Sequence, residues 1–257
     1  MPKAETSACD PLRRTGRFWQ PQASLKSEST VEGSPVFRQL KLEGIRVTPE
    51  GRIAPSGAQS DGVPLVLVAQ IQDGECHVMT DASLPEEIRC HLCEPDLAAF
   101  KIESSLVALQ TAGVAVQPGH FKTYGFPDLL DQVAVDEVVV FTRTDPGVVA
   151  LGFHVFSDEI FGIEDGATLV AACVSARQDD LSAEAWVYVR PEYRRRGLAR
   201  KVVVAWAGAM RAAGRFPFYS HLIDNTASAS LAASLGLVPL FEEKVIERAD
   251  EDRDGSA

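Results

Sequence analysis

The sequence has no stretch that stays apolar for the roughly 20 residues of a membrane-spanning helix. Residues 1–20, MPKAETSACDPLRRTGRFWQ, also lack the continuous apolar run of a signal peptide. We therefore expect a cytoplasmic protein with no membrane partner. At 46% hydrophobic residues in 257, the chain still has enough apolar material to bury a core.

Positive charge is in short supply, since 25 basic residues stand against 36 acidic ones and give a formal net charge of -11. Non-specific affinity for nucleic acid comes mainly from neutralised phosphates, so this balance argues against a surface that coats a polyanion. Aromatic residues, at 7%, are also scarce for a stacking platform. We expect no nucleic-acid partner and keep binding through residues 190–201 only as a third alternative.

Cysteine is scarce too, and the five cysteines form an odd, scattered set that does not suggest a disulfide framework. Cys90 and Cys93 make a CxxC, but a structural zinc site usually needs a second paired spacing. The same segment predicts a short helix near residues 84–94, so we expect no metal. Cys173 lies in an apolar strand pattern, where burial favours an inert core thiol over a nucleophile.

Composition divides the chain into four parts. Residues 1–35 are rich in Ser, Pro, Gly and charge, which predicts a disordered arm, and residues 248–257 form a charged tail. Residues 36–144 contain two strand-turn-strand patterns, GIRVTPEGRIAP and VPLVLVAQIQDGECHVM, before a helical stretch at 102–112. They predict a small α+β region. The β-branched run at 136–144 can close this region or begin the next.

Residues 145–247 carry the most regular pattern. VVALGFHVF is apolar but ambiguous, whereas ATLVAACVSARQ and AEAWVYVRP predict strands around a DDLS turn. A basic loop then leads to a helix from Leu198 to about Ala213. FPFYSHLI predicts a buried strand, NTASASLAASLG a helix capped by Asn225, and LVPLFEEKVIE a final strand. The fold class expected is α/β, or α+β, with a mixed sheet.

The basic loop follows a strand that stops at Pro191 and opens a helix. Backbone N–H groups point outward at such a place, and the helix dipole adds a partial positive charge. Gly197 allows close approach of a ligand, and Ala199 keeps the first turn clear. Positive side chains at the N-terminus of a helix are unfavourable next to the positive end of the helix dipole unless an anion binds between them. This sequence places five there: Arg194, Arg195, Arg196, Arg200 and Lys201. We therefore expect a phosphate-binding loop, although neither a Walker nor a dinucleotide motif occurs in it.

The pattern Arg194-x-x-Gly197-x-Ala199, between a strand and an apolar helix, resembles the acyl-CoA-binding motif of the GNAT acyltransferase superfamily. The segment YSHLIDNTASASLAASLGL follows at the spacing of that superfamily's second conserved block. The resemblance covers about residues 150–247, and GRFPFYSHLIDNTAS is similar to a bacterial subgroup with an extra N-terminal region. It implies a GNAT-like C-terminal domain with splayed central strands, preceded here by the small α+β unit.

The resemblance also implies where acetyl-CoA, the co-substrate, would lie. Its pantetheine arm would pass between the diverging strands 184–190 and 216–223, and its pyrophosphate would rest on residues 194–199. Asn225 is expected to serve as a helix N-cap as well as to face the cofactor. The cofactor-binding residues expected are Val187, Tyr188, Val189, Arg194, Arg195, Arg196, Gly197, Leu198, Ala199, Arg200, Asn225 and Ser228. The first three would contribute their backbone groups.

The activity implied is direct transfer of an acetyl group from acetyl-CoA to a primary amine of a small molecule or peptide, in a ternary complex. An alkylammonium of pKa about 10.4 must lose a proton before it attacks. Glu184 stands where many relatives carry their general base. The tyrosine that often serves as general acid is replaced by Ala232, and the nearby strand offers Tyr219, Ser220 and His221 instead. The catalytic candidates are Glu184, Tyr219 and His221.

The missing tyrosine leaves a second function open, a non-catalytic acyl-CoA-binding sensor of GNAT fold. The acidity of the chain favours a cationic acceptor by electrostatic steering. The acceptor's identity and the oligomeric state are left open.

Overall fold

The computed structural model describes residues 34–48, 52–54, 64–71, 74–85, 88–89, 100–128 and 135–249. Their strands join one eleven-stranded mixed sheet. The strands are β1 (Arg46–Val47), β2 (Arg52–Ala54), β3 (Pro64–Ile71), β4 (Cys76–Asp81), β5 (Val116–Gly125), β6 (Val139–Thr142), β7 (Glu159–Asp165), β8 (Thr168–Gln178), β9 (Ser182–Val189), β10 (Phe216–Leu222) and β11 (Val238–Arg248). The α-helices are α1 (Pro35–Leu42), α2 (Ile102–Thr111), α3 (Pro146–Ala150), α4 (Leu198–Ala212) and α5 (Thr226–Ser234).

The sheet runs in the order β1-β2-β4-β3-β11-β5-β10-β9-β8-β7-β6. β2 and β4 pair in parallel, as do β9 and β10, and the other neighbours are antiparallel. This confirms the mixed-sheet fold class. The C-terminal strand β11 lies between β3 and β5, so strands from both parts of the chain share the sheet. The division at residue 144 stays a prediction.

Helices cover both faces of the sheet. α4 packs on β7, β8 and β9, where the fully buried Trp206 donates its indole N–H to Ser175 Oγ at 3.0 Å. α2 packs on β5 and β11 on the same side, which we call the α4 face. α1 lies on the opposite side, the α1 face, and buries Val36 and Leu40 against Phe241 and neighbouring apolar residues. Because side chains alternate along a strand, every strand residue can be assigned to one of the two faces.

Most elements predicted from the pattern are confirmed. β3 and β4 form the expected hairpin, with Gly74 in the turn at φ +91, and α2, α4, α5, β8, β9, β10 and β11 lie where predicted. Pro35, however, is the first residue of α1, so the predicted arm at 1–35 is wrong at its last residue. The remainder of that arm, most of the 84–94 helix with its CxxC, and most of the tail lie outside the described residues.

Two strands, β5 and β7, and two helices, α1 and α3, were not predicted from the sequence. β5 contains Pro118 and Gly119, which usually interrupt strands, yet it lies between β11 and β10. β10 pairs with β5 only from Phe121 to Gly125, so the missing N–H of Pro118 falls where the second edge of β5 has no partner strand. β7 (EIFGIED) and α1 (PVFRQLKL) are short patterns that tertiary packing stabilises.

Among the described residues, no helix combines the length and the apolar character that crossing a membrane requires.

The N-cap of α5 provides a local test of the fold. Asn225 Oδ1 accepts a hydrogen bond from the Ser228 N–H at 3.0 Å. We expect Asn225→Ala to lower the free energy of unfolding by about 1 kcal/mol and the Tm by about 2–4 °C, whereas Asn225→Asp should restore most of both. The exposed Ser230→Ala on the same helix is the control in thermal unfolding. An equal loss in both alanine variants would contradict the capping role.

Candidate active site

The strands β9 and β10 run side by side only where they begin. Their parallel pairing joins Phe216 to Ser182 and ends at Phe218 and Glu184. Beyond this point β9 continues along β8 to Val189, and β10 continues along β5 to Leu222. The two strands therefore diverge past Glu184, which confirms the predicted splay. We call the opening between them the fork.

Backbone alternation shows which amides face the fork. The Arg190 N–H donates to the carbonyl of Val170, which precedes Ala171 on β8, at 2.9 Å. Since successive residues direct their N–H and C=O groups to opposite edges of a strand, Val187 and Val189 face the fork and Tyr188 faces β8. The backbone of Tyr188 is therefore directed at β8 and its side chain lies on the α1 face, while its contact with the cofactor stays a prediction.

The loop from β9 to α4 exposes the start of a helix. Gly197 is the N-cap of α4 at φ +78, and Arg195 has φ +62. The first backbone bond of the helix runs from the Lys201 N–H to the Gly197 carbonyl at 3.3 Å, and the N-cap glycine has no side chain to cap the end. The N–H groups of residues 198–200 consequently point out of the helix end.

Several arginines surround this helix end without a carboxylate partner. Arg194, Arg195, Arg196 and Arg200 are exposed, and none forms an ion pair within the described part of the chain. Local bonds hold two of them: Arg194 Nε donates to the Val189 carbonyl at 3.2 Å, and Arg196 Nη2 to the Glu192 carbonyl at 3.0 Å. Lys201 Nζ, by contrast, is paired with Glu137 at 2.6 Å. The predicted anion site therefore has free positive charge, but Lys201 adds little to it.

The catalytic candidates lie on two faces of the sheet. Glu184, in register with Phe218, belongs to the α1 face, whereas Tyr219 and His221 belong to the α4 face. The structure thus brings Tyr219 and His221 together, with ring centroids 6.3 Å apart, and separates both from Glu184 by the thickness of the sheet at the fork.

Tyr219 reaches the helix that lacks the usual tyrosine. Tyr219 is 2% exposed, and Ser228 of α5 lies beside its hydroxyl. Burial raises the pKa of Tyr219, so the phenol stays protonated and able to donate at neutral pH. Ala232, which is buried, lies one turn after Ser228 on the same side of α5. Tyr219 therefore supplies a hydroxyl to the helix face from which a tyrosine at position 232 would project.

His221 has both ring nitrogens engaged. Nδ1 lies 2.7 Å from the Leu222 carbonyl and must donate to it, which leaves Nε2 to accept from the Tyr124 hydroxyl at 3.3 Å. The Tyr124 and His221 rings also stack at 5.5 Å. Tyr124 lies on β5, a strand that the sequence pattern did not predict.

Glu184 lies in a carboxylate cluster that the sequence analysis missed. Arg177 Nη1 donates to Glu184 Oε2 at 2.7 Å and lies 3.5 Å from Glu43 Oε1, just after α1. Glu243, which is 6% exposed, faces the same side from β11. Burial, together with the neighbouring carboxylates and against the opposing effect of Arg177, raises the pKa of Glu43 to about 7 and that of Glu243 well above its usual value.

Only Glu243 of this cluster could have been recognised from the sequence pattern. Glu243 alternates with Phe241 and Val245, so it occupies a core position of an amphipathic strand, where an acid is unusual. Glu43 left no such signal, because only the packing of α1 on the sheet brings it to Arg177. Cys173 is fully buried with a raised pKa, which confirms it as an inert core thiol.

The family comparison agrees with this geometry. Residues 160–245 match the model of a family described as FR47-like protein, and this span contains the fork, the basic loop and α5. The match covers about a third of the chain, and the extra N-terminal region lies outside it and stays a prediction.

Solved structures give more distant likenesses. A GNAT-family protein from Novosphingobium aromaticivorans aligns with a TM-score of 0.46 and 21% identity over 54% of this chain and 69% of its own. A GCN5-related N-acetyltransferase-like protein from Streptococcus suis gives 0.43 and 16% over 80% and 88%. A GNAT-family acetyltransferase from Colwellia psychrerythraea gives 0.45 and 13% over 82% and 96%. No curated protein matches the chain in sequence.

Proposed function

We propose that the protein is an N-acetyltransferase that moves an acetyl group from acetyl-CoA to a primary amine of a small molecule or peptide by direct attack. The observation that carries this proposal is the fork between β9 and β10, which opens beside a helix start with outward-pointing N–H groups and arginines that form no ion pair among the described residues. The match of residues 160–245 to the FR47-like family model supports a general acyltransferase role, as does the resemblance of the basic loop to the GNAT acyl-CoA-binding motif.

The residues present suit the parts of acetyl-CoA. The N–H groups of residues 198–200 and the guanidinium groups of Arg194, Arg195 and Arg200 would hold the diphosphate. Val187 and Val189 would bind the amides of the pantetheine arm with their fork-facing backbone groups. Asn225 uses its Oδ1 to cap α5, which leaves its amide nitrogen for the cofactor. The Ser228 side chain lies beside the Tyr219 hydroxyl at the same end of α5.

The general base and the general acid lie on opposite faces of the sheet at the fork. We assign Glu184 as the base that takes the ammonium proton on the α1 face, directly or through a water, while Arg177 orients its carboxylate. The amine nitrogen then bonds to the thioester carbon and releases its second proton to the solvent, and the carbon–sulfur bond breaks. Tyr219, on the α4 face, donates its proton to the departing thiolate. The base and the acid therefore serve opposite sides of the reacting carbon.

Removing the Tyr219 hydroxyl tests the acid. We expect Tyr219→Phe to lower kcat about tenfold with little change in the KM for acetyl-CoA, because a thiolate leaves moderately well unaided. The measurement is CoA release followed with a thiol reagent. Tyr193→Phe, which removes an exposed hydroxyl bonded to Asp165, is the control and should keep kcat. An unchanged kcat in Tyr219→Phe would remove the acid from the mechanism.

The replacement of the usual tyrosine by Ala232 favours one alternative, a sensor that binds acyl-CoA without turnover. Purified protein, acetyl-CoA and a broad amine panel separate the two functions. The enzyme releases CoA, and Glu184→Gln slows that release. The sensor is stabilised by acetyl-CoA against heat, yet it releases no CoA, and Glu184→Gln changes nothing in the transfer assay.

A further inference from the structure

We propose that the α1 face beside Glu184 selects an acceptor whose single primary ammonium is carried on an aromatic or apolar body. The charge would lie at the carboxylate cluster under α1, and the body would lie against Trp186 and Phe156. This inference rests on the proposed acetyl transfer and narrows its acceptor to one class of amine.

Two buried side-chain oxygens beside the carboxylate cluster have no partner among the described residues. Gln39 is 2% exposed; its Nε2 donates to Glu43 Oε1 at 3.1 Å, while its buried Oε1 has no partner among the described residues. Ser182 Oγ is also buried and unpartnered in that set, and Ser182 lies two residues before Glu184 on the same face. Leaving buried polar atoms unpaired is costly. An ammonium, with three N–H donors and no acceptor, would satisfy such a site.

The charges facing this cluster favour one additional cation. Arg177 on β8 forms ion pairs with Glu43, at the end of α1, and with Glu184 on β9. Glu243 and Glu247 on β11 are close enough to interact electrostatically with Arg177. Burial raises the pKa of Glu243 well above its usual value. Three carboxyl groups, from Glu43, Glu184 and Glu243, thus face the one guanidinium of Arg177, and this arrangement favours one further cation. The second and third charges of a polyamine would find no comparable carboxylates in the described surroundings.

The neighbouring surface is aromatic and open. Trp186 is 41% exposed and Phe156 is 40% exposed, with ring centroids 4.7 Å apart, and the buried Phe153 supports Trp186 edge-on at 4.8 Å. Trp186 follows Glu184 by two residues on the same face, a separation of about 7 Å. Exposed aromatic rings in contact often mark a binding surface. A ring joined to an amine by a short spacer would span the two sites.

Calorimetric titration with excess CoA present tests this class, because CoA carries no acetyl group to transfer. The probes are 2-phenylethylamine, the uncharged 2-phenylethanol and spermidine. We expect 2-phenylethylamine to bind at least about tenfold more tightly than either of the others. Spermidine binding as well as 2-phenylethylamine, or 2-phenylethanol binding equally, would overturn the proposal.

Substitutions test the aromatic surface and the carboxylate cluster separately. Trp186→Ala and Glu43→Gln should each weaken 2-phenylethylamine binding by about fivefold or more, while Trp186→Phe should retain most of it. The matched controls, Val107→Ala and Glu103→Gln on the exposed side of α2, should change nothing. Unaltered binding in both Trp186→Ala and Glu43→Gln would overturn the inference.

Acetyl transfer and the preference for one class of amine can be tested independently. Thermal stabilisation by acetyl-CoA and release of CoA test the transfer, and neither depends on which amine is preferred. If CoA is released with spermidine in preference to arylalkylamines, the transfer stands and this inference fails. If 2-phenylethylamine binds as expected but no amine yields CoA, the transfer fails and the amine site is retained.

Discussion

Replacing Gly197 with glutamate is expected to weaken acetyl-CoA binding by at least about 100-fold, which corresponds to about 2.7 kcal/mol. Gly197 has φ +78, a conformation that costs other L-residues about 1 kcal/mol or more. The new carboxylate would also lie at the exposed N–H groups of residues 198–200 and compete with the diphosphate for them. Calorimetric titration with acetyl-CoA measures the loss directly.

Gly214 offers a matched control at the other end of α4. Its φ is +76, and a Cβ added at either glycine meets nothing within 4 Å. Gly214→Glu therefore imposes a similar backbone cost without placing a charge near the basic loop. We expect both variants to lose comparable stability in thermal unfolding, while Gly214→Glu keeps its affinity for acetyl-CoA. Equal affinities in the two variants would mean that the diphosphate lies elsewhere.

Replacing Glu43 with glutamine is expected to stabilise the protein above neutral pH relative to the wild type. The pKa of Glu43 is raised from 4.5 to about 7 in the folded chain. Between these values the folded state keeps a proton that the unfolded state has released, so wild-type stability falls as pH rises through this window and levels off above it. The shift amounts to about 3 kcal/mol that Glu43→Gln, which does not titrate, avoids losing.

Denaturant unfolding at pH 5 and pH 8 measures this difference. The free energy of unfolding of Glu43→Gln, relative to that of the wild type, should increase by about 3 kcal/mol from pH 5 to pH 8. Glu103→Gln, at an exposed position in α2, should show no such growth. A difference that is the same at both pH values would contradict the buried, protonated state of Glu43. A structural ion pair with Arg177 alone would instead make the variant less stable at pH 8.

The basic loop and the helices around it could be predicted because their signals are local. Arg194, Gly197 and Ala199 fall within six residues, and Asn225 begins the helix that it caps. The splay of β9 and β10 followed from the family resemblance, not from the pattern. Such features depend on neighbouring residues in the chain, so a sequence displays them directly.

The carboxylate cluster could not be predicted, because α1, β8, β9 and β11 each contribute to it. Glu43 is more than 130 residues away from Arg177 along the chain, and the two meet only after α1 packs on the sheet. The backbone direction of Tyr188 depends on the register between β8 and β9, which no local pattern specifies. The Pro-Gly pair in β5 concealed a strand that carries Tyr124.

A crystal structure of the protein with acetyl-CoA would test the central claim most directly. We predict diphosphate oxygens within hydrogen-bonding distance, about 2.7–3.2 Å, of the N–H groups of residues 198–200, and the pantetheine arm between β9 and β10 at Val187 and Val189. A diphosphate bound away from the start of α4, or an arm outside the fork, would contradict the account.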